Sequence, residues 1–330
     1  MSTSPGPAPS GPSGLRIVFV GCVSEGYRCL EHLLRRGETV LCAFTLEDGL
    51  AAATSGAMRF DELARDSGVP LVKVRNINDE DHVERILSIA PDVVLVIGWT
   101  QLLKAPILRI PRHGCIGFHA SLLPRYRGRA PVNWAIINGE EKTGNTMILL
   151  EEGVDNGDII AQREIPIRLE DTCGTIYDRV AETEFDMLDE VLPLIREGRM
   201  PRRVQDADLV TVMPRRRPED GLIHWDWPAL RIYNWIRALT HPYPGAFTWL
   251  PGRRVFVWKA TLAAMDLPKM AAGEMLFSDG RLLAGTGQGP VSLDRLQMEG
   301  EEETSGSAFA LRHLESGRGL FTASSKGGAS

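Results

Sequence analysis

The chain has 330 residues, 43% hydrophobic and 24% charged, which is typical of a globular protein with one large or two smaller domains. Its formal net charge is −6, so no basic field covers the molecule and non-specific nucleic-acid binding is not favoured. No apolar run reaches the roughly 18–20 residues that span a bilayer, so no membrane partner is expected. Residues 1–14 are rich in Ser, Pro and Gly without a secretion-signal pattern, and they predict a disordered leader.

The five cysteines form no Cys-x-x-Cys pair and show no spacing typical of a zinc site. Neither a disulfide framework nor a bound metal is therefore predicted. Isolated cysteines within apolar segments usually behave as buried hydrophobic residues. This usage favours a reducing compartment, and the cytoplasm is the predicted location.

Strands and helices are predicted to alternate through the first part of the chain. Short apolar, β-branched runs predict strands at 15–20, 40–44, 70–74, 93–97 and 115–118. Segments with helical spacing lie between them, at 27–36, 58–67 and 79–89. This alternation predicts an α/β fold with a parallel sheet and right-handed crossovers.

A second, smaller β-rich region is predicted towards the C-terminus. A helix at 131–137, a β pair at 146–150 and 159–165, and a helix at 172–196 precede it. Short β-type runs separated by Gly/Pro turns then follow, at 246–250, 255–260, 281–284 and 291–296. The predicted organisation is a leader at 1–14, an α/β domain at 15–205, a linker at 206–218, a β-rich domain at 219–317 and a disordered tail at 318–330.

A glycine-containing segment, Gly21–Gly26, follows the first predicted strand. It lacks the Lys-Ser/Thr of a P-loop and the Gly-x-Gly-x-x-Gly spacing of a dinucleotide site. We therefore expect a tight turn between strand and helix, and predict neither ATP nor NAD.

The clearest indication of chemistry is a histidine and an aspartate on two separate loops. His119 follows the apolar run at 115–118, and Asp155 lies in the Gly-flanked segment 152–158. In open α/β sheets, ligands bind beyond the carboxyl ends of the strands, where such a pair can handle protons. Three arginines after His119 are suited to an anionic substrate group, although a solvated loop is the alternative interpretation.

These segments resemble the folate-dependent formyltransferases, which include methionyl-tRNA formyltransferase, the formyltransferase domain of a lipid A aminoarabinose enzyme and nucleotide-sugar N-formyltransferases. The resemblance covers about residues 15–313 and includes Arg217–Trp225, Asn234–Ala238 and Pro244–Phe247. It implies a Rossmann-like formyltransferase domain with a parallel-rich sheet, followed by a small, OB-like β-barrel domain. It also implies 10-formyltetrahydrofolate as the formyl donor.

The resemblance assigns His119 and Asp155 as catalytic residues. It implies a folate pocket formed by Trp99, Leu102, Leu103, Asn156, Gly157 and Asp158. The expected substrate-binding residues are Ser121, Arg125, Arg127, Arg129 and Asn133. No metal ion is implied.

One position departs from the family pattern. The family has an asparagine two residues before the catalytic histidine, and this chain has Gly117 there. The asparagine amide is thought to hold the formyl oxygen as negative charge develops, and loss of one such donor costs other enzymes roughly 10²–10³-fold in rate. The candidate replacements are the side chains of Asn133, Asn156 and Ser121, a backbone N–H, or a water molecule.

The sequence favours a primary amine on a nucleotide-linked amino sugar, or a related small amine, as the acceptor. Arg127–Trp134 resembles the aminoarabinose enzyme more than the tRNA enzymes, which tend to have a small residue in place of Arg129. The alternatives are a methionyl-tRNA formyltransferase, a formyltetrahydrofolate hydrolase, and a catalytically impaired folate- or nucleotide-binding homologue. The resemblance to sugar-modifying enzymes is also compatible with a homodimer.

Overall fold

A computed structural model describes residues 14–250, 252–263 and 269–324 of the chain. These residues belong to two compact units. The first unit is drawn from Met1–Phe118, Met147–Ala161 and Glu184–Val204, and the second from His119–Thr146, Gln162–Thr183 and Gln205–Ser330. The predicted leader, apart from its last residue, lies outside the described residues.

Most of the predicted elements are present, with ends that differ by a few residues. The strands are β1 Ile17–Val20, β2 Val40–Leu46, β3 Leu71–Val74, β4 Val93–Val96, β5 Cys115–His119, β6 Arg127–Gly128, β7 Lys142–Leu149, β8 Ile159–Pro166, β9 Val212–Met213, β10 Ala246–Leu250, β11 Arg253–Leu262, β12 Glu274–Ser278, β13 Arg281–Gly285, β14 Pro290–Met298, β15 Thr304–Ser305 and β16 Arg318–Leu320. The α-helices are α1 Ser24–Arg35, α2 Asp48–Ala52, α3 Asp61–Ser67, α4 Glu80–Ile89, α5 Ala105–Leu108, α6 Pro131–Ile137, α7 Cys173–Arg196, α8 Ala229–Leu239 and α9 Gly306–His313.

A seven-stranded sheet has the strand order β3-β2-β1-β4-β5-β7-β8. The pairs among β1 to β5 are parallel. Along β1, Ile17 and Phe19 pack in one hydrophobic core and Val18 and Val20 in another. Because alternate residues of a strand point to opposite faces, both faces of this sheet are buried. The predicted parallel-rich α/β region is confirmed.

The turn between β1 and α1 lies where the strand order switches direction. An ideal Cβ at Gly21 would lie 2.6 Å from the carbonyl oxygen of Ile97, and one at Gly26 would lie 2.4 Å from it. Only glycine permits so close an approach. The turn expected from the sequence is therefore present and is packed against the chain that leaves β4.

A second sheet forms the β-rich part of the second unit. It has the order β10-β11-β14-β13-β12-β16, and neighbouring strands in this order pair antiparallel. Val255 and Val257 of β11 are fully buried in a core that also includes Ile232 of α8. The predicted β-rich C-terminal region is confirmed. Residues 318–320, which the prediction assigned to a tail, instead form β16 beside β12.

All five cysteines are buried and free. Burial raises the pKa of Cys22, Cys115 and Cys173 to about 12, so these thiols stay protonated near neutral pH. Among the described residues, no helix is long and apolar enough to cross a membrane. Within the same part of the chain, no group of three or more His, Cys, Asp and Glu side chains could hold a metal ion.

Candidate active site

His119 is the last residue of β5, and its side chain is only 7% exposed. Its Nε2 atom lies 2.7 Å from the carbonyl oxygen of Tyr126. Tyr126 has a left-handed backbone conformation, with φ of 60°. A non-glycine residue in this conformation is uncommon and is often held by its surroundings at a functional site. The loop after β5 therefore turns back onto the predicted catalytic histidine.

Ser121 holds this loop rather than presenting its hydroxyl to solvent. It is 1% exposed, and its Oγ donates to the carbonyl oxygen of Arg125 at 2.7 Å. Its own carbonyl oxygen accepts from Thr146 Oγ1 at 2.6 Å. Because a hydroxyl has a single proton to donate, Ser121 is already engaged as a donor. Its predicted role in substrate binding stays a prediction.

The three predicted substrate-binding arginines lie in different environments. Arg125 and Arg129 are exposed. Arg127 is half-buried and donates from both Nε and Nη2 to Gln205 Oε1, at 3.1 and 2.7 Å. An exposed guanidinium is available to a phosphate, whereas Arg127 is held by a neighbouring amide. Arg125 and Arg129 are therefore the better placed of the three to contact an anionic substrate.

The arginine loop pairs with the segment predicted to be a linker. β6 and β9 form a two-stranded parallel ladder, with Arg127 opposite Val212 and Gly128 opposite Met213. Gly128 has φ of 101°, and an ideal Cβ there would lie 2.5 Å from the carbonyl oxygen of Met213. A second arginine run, Arg215–Arg217, follows Met213 closely in the chain, and Met213 pairs with Gly128 of the first arginine loop.

Arg216, the middle residue of that second run, packs against two tryptophan rings. Its guanidinium carbon lies 5.0 Å from the ring centre of Trp134 and 4.5 Å from that of Trp235. Trp134 Nε1 donates to the carbonyl oxygen of Pro214 at 3.0 Å. Burial lowers the pKa of Arg216 from its ordinary value, although cation–π contacts stabilise the charged form. The 214–216 segment is therefore packed on helices α6 and α8.

Asn133 lies in the core of the second unit. It is 1% exposed, and its Nδ2 donates to the carbonyl oxygen of Ala238 at 2.6 Å, which joins α6 to α8. This placement is that of a residue that stabilises helix packing. The predicted contacts of Asn133 with substrate or with the formyl oxygen stay predictions, and its burial does not favour them.

Asp155 occupies a tight loop of the first unit, between β7 and β8. Its φ is 50°, a left-handed conformation that aspartate tolerates better than most residues. An ideal Cβ at Gly157 would lie 1.7 Å from the carbonyl oxygen of Leu149, so only glycine fits there. Asn156 Nδ2 donates to the carbonyl oxygen of Glu152 at 3.2 Å. These contacts fix the backbone of the loop that carries Asp155.

Gly117 is buried in β5, and there is little space beside it for a side chain. An ideal Cβ at this position would lie 2.8 Å from Leu150 Cδ2 and 3.2 Å from Leu150 Cγ. Leu150 is a partly buried residue that packs against one core of the sheet. A side chain larger than hydrogen at position 117 therefore requires the Leu150 side chain to move.

The predicted folate pocket combines apolar surface with one polar atom. Leu102 is 60% exposed, Leu103 is buried, and Trp99 packs partly buried against the same core. The Trp99 Nε1 atom is buried and has no hydrogen-bond partner in the described part of the chain. Asn78 fixes this segment because its Nδ2 donates to the carbonyl oxygen of Leu102 at 2.9 Å. The apolar surface of Leu102 and Trp99 is of the kind that binds a flat heterocycle such as a pterin, and the assignment of the folate pocket and of the Trp99 N–H to a ligand stays a prediction.

Replacing Trp99 with Phe tests this fit. The change removes an N–H that has no protein partner, so we expect the free energy of unfolding to stay the same or rise. Tetrahydrofolate should bind roughly five- to tenfold more weakly by calorimetry, because one hydrogen bond to the ligand is lost. Trp134→Phe is the matched control, since its N–H does have a partner: it should lower stability and leave folate affinity unchanged. Unchanged affinity in Trp99→Phe would contradict the assignment.

The predicted site residues divide between the two units. Trp99, Leu102, Leu103, Gly117 and the loop from Asp155 to Asp158 belong to the first, and His119, Ser121, Arg125, Arg127, Arg129 and Asn133 to the second. Sequence reasoning missed three residues that hold the His119 loop and the arginines: Tyr126, Gln205 and Arg216. A contact between distant chain segments leaves no local sequence pattern by which these residues could have been found.

Comparison with known proteins identifies the family. The formyl transferase model matches residues 17–192, and the model of the formyl transferase C-terminal domain matches residues 216–314. A methionyl-tRNA formyltransferase from Geobacter sulfurreducens is 35% identical over 318 residues, which cover 95% of this chain and 99% of that protein. Similarity at this level extends over nearly the whole of both proteins.

Solved structures share the fold at lower identity. HypX from Aquifex aeolicus, in complex with tetrahydrofolic acid, has a TM-score of 0.66 at 18% identity over 91% of this chain and 48% of that chain. This protein thus spans about half the length of HypX. An N-formyltransferase from Helicobacter canadensis, in complex with folinic acid and dTDP-3-aminofucose, has a TM-score of 0.66 at 15% identity over 84% of this chain and 98% of that chain.

The predicted family, the predicted enzyme class and formyl-tetrahydrofolate as formyl donor are confirmed by these findings. Both regions of the chain match, the α/β region and the β-rich region that follows it. The chain belongs to the formyl transferase family and is a folate-dependent formyltransferase.

Proposed function

We propose that this enzyme transfers the formyl group of 10-formyltetrahydrofolate to the α-amino group of methionyl-tRNA. The observation that carries this proposal is the 35% identity to a methionyl-tRNA formyltransferase across 95% of the chain. The nucleotide-linked amino sugar favoured by the sequence has weaker support, because the sugar N-formyltransferases are similar only in fold. The buried, free thiols are compatible with a cytoplasmic location.

The proposed chemistry uses His119 and Asp155. When bound, 10-formyltetrahydrofolate supplies a formyl group on its N10 nitrogen. The acceptor amine attacks the formyl carbon, the bond from that carbon to N10 breaks, and one amine proton ends on N10. His119 takes this proton and returns it to the leaving nitrogen. The Asp155 carboxylate favours the protonated imidazole electrostatically.

The second unit carries basic groups that suit a phosphate backbone. Arg125 and Arg129 are exposed on the loop after β5, and Arg215 and Arg217 are exposed beyond β9. The β6–β9 ladder links these two runs. Arginines bind phosphate through two parallel hydrogen bonds, and their contacts with tRNA would make affinity fall as salt rises. A local cluster of this kind can bind tRNA although the net charge of the chain is −6.

A nucleotide-linked amino sugar is the second candidate acceptor. Arg129 is the residue that favours it, because the tRNA enzymes tend to have a small residue at this position. Its exposed guanidinium is suited to a diphosphate. The same arginine would contact a phosphodiester in the tRNA reaction, so the acceptor has to be decided by turnover.

An acceptor panel tests the proposal. The enzyme is incubated with 10-formyltetrahydrofolate and methionyl-tRNA, a panel of nucleotide amino sugars, or no acceptor, and products are read by mass spectrometry. We expect N-formylmethionine after hydrolysis of the tRNA ester, with initial rates that fall as salt rises. A formylated sugar would overturn the choice of acceptor. Formate without any acceptor would indicate a hydrolase, and folate binding without product an impaired homologue.

A further inference from the structure

The carbonyl oxygen of Tyr126 determines which nitrogen of His119 carries a proton. It lies 2.7 Å from His119 Nε2, within the range of a good hydrogen bond. A carbonyl oxygen can only accept, so Nε2 must donate and must be protonated. A neutral imidazole has one N–H, and its lone pair then resides on Nδ1.

Three hydrogen bonds hold Tyr126, one through its backbone N–H and two through its phenol. Its backbone N–H donates to Thr211 Oγ1 at 2.8 Å. Its phenol donates to Glu140 Oε1 at 2.6 Å and accepts from Asn138 Nδ2 at 3.1 Å. Burial raises the pKa of the phenol, so it remains a donor to Glu140 well above neutral pH.

The backbone of Tyr126 adds a further constraint. Its φ of 60° is unfavourable for a residue with a Cβ and is maintained only where surrounding contacts determine it. This conformation places the Tyr126 carbonyl against the His119 ring, and the phenol contacts supply part of the restraint. Glu140 and Asn138 therefore influence the histidine through their hydrogen bonds to the tyrosine.

We infer that Tyr126 is a positioning residue that holds His119 in the Nε2–H form, so that proton exchange with the substrates takes place at Nδ1. The inference rests on the proposed role of His119 in formyl transfer and adds the atom at which the proton moves. It gives the side chain of Tyr126 a function in place of simple packing. Placement of a ring to within a fraction of an ångström has large effects on rates of proton transfer.

The protonation pattern can be observed directly. Full-length protein labelled with ¹⁵N-histidine is studied by two-bond ¹H–¹⁵N correlation at a pH where the rings are neutral, and His119 is assigned from the signal lost in His119→Asn. We expect the pattern of the Nε2–H form. An Nδ1–H pattern would overturn the inference. This measurement needs no turnover, so it is independent of whether the proposed reaction is correct.

Kinetics separate positioning from packing. Tyr126→Phe keeps the ring and removes the hydrogen bonds of the phenol, and we expect kcat to fall about tenfold with little change in KM. The His119 spectrum should shift towards a mixture of both neutral forms, a change that a packing role would not produce. Glu140→Ala should cause a similar loss, and the double variant should lose no more than either single variant.

Glu140→Gln is the matched control, because it keeps an acceptor oxygen for the phenol and should retain nearly full kcat. Tyr126→Phe with an unchanged kcat and an unchanged spectrum would overturn the inference. If His119→Ala retained full activity while the Nε2–H form was observed, the proposed catalytic role would fail and the hydrogen-bond assignment would stand.

Discussion

His119→Ala should lower kcat/KM for formyl transfer by roughly 10²–10⁴-fold, the range that one general acid–base group contributes. The loss should appear in kcat rather than in folate affinity, because the change removes the proposed proton-transfer group and leaves every predicted folate-binding residue in place. Formylated product, counted by mass spectrometry under single-turnover conditions, measures this effect. His224→Ala is the control, since His224 is exposed and stacks on Trp227.

Asp155→Asn should cause a loss of similar size for an electrostatic reason. The change keeps the shape of the side chain and tolerates the φ of 50°, but it removes the negative charge on which the proposed role of Asp155 depends. Asp279→Asn is closely matched, because Asp279 also has φ of 50° and lies on an exposed turn. Full activity in Asp155→Asn would exclude the proposed pair, whereas equal loss in both variants would indicate a general folding defect.

Gly117→Asn combined with Leu150→Ala should raise kcat/KM above that of Leu150→Ala alone, by up to about 10²-fold. The asparagine would return an amide donor to the position where the family has one. In Gly117→Asn alone the Leu150 side chain has to move, because its Cδ2 atom lies 2.8 Å from the new Cβ, and this shift is combined with any effect of the amide. The double variant removes this obstruction, and Leu150→Ala supplies the matched reference.

The hydrogen bonds already made by the candidate replacement donors support the expected rise in kcat/KM. Ser121 already donates its single proton to a backbone carbonyl oxygen, and Asn133 and Asn156 each use one of their two amide protons in the same way. Asn133 is also buried in a helix interface. If the double variant were no faster than Leu150→Ala, a backbone N–H or a water would already stabilise the formyl oxygen, and the expectation would be wrong.

The fold could be predicted from the sequence where local pattern and tertiary environment agree. The apolar run at 93–97 predicted a strand buried on both faces, and β4 is one. A tight turn was predicted at Gly21 because the segment lacks the residues of a P-loop and of a dinucleotide-binding motif, and the structure has this turn. The helix expected at 58–67 begins only at Asp61, because Ala57 and Met58 instead pair with residues 22–23 in the turn between β1 and α1.

The site could be predicted only as residue types in order along the chain. His119 and Asp155 were singled out by their positions on two loops and were assigned catalytic roles through the family resemblance, but the sequence contains no information on their distance. The ladder of β6 and β9 joins residues about 85 positions apart, and its strands are two residues long. The restraint on His119 depends on a backbone carbonyl, which every residue has. Neither the β6–β9 ladder nor the carbonyl contact to His119 produces a periodic sequence pattern, so both are visible only in the three-dimensional structure.

The second unit is assembled from three separate stretches of chain, and this limits how the protein can be dissected. A fragment that began at residue 206 would carry the β-rich sheet and α8. It would lack Val132, Ile136 and Ile176, which pack in the same core as Ile232. Truncation at the 206–218 segment would therefore leave α8 with an uncovered apolar face. An aggregating fragment would then reflect the cut site rather than an inability of the β-rich sheet to fold.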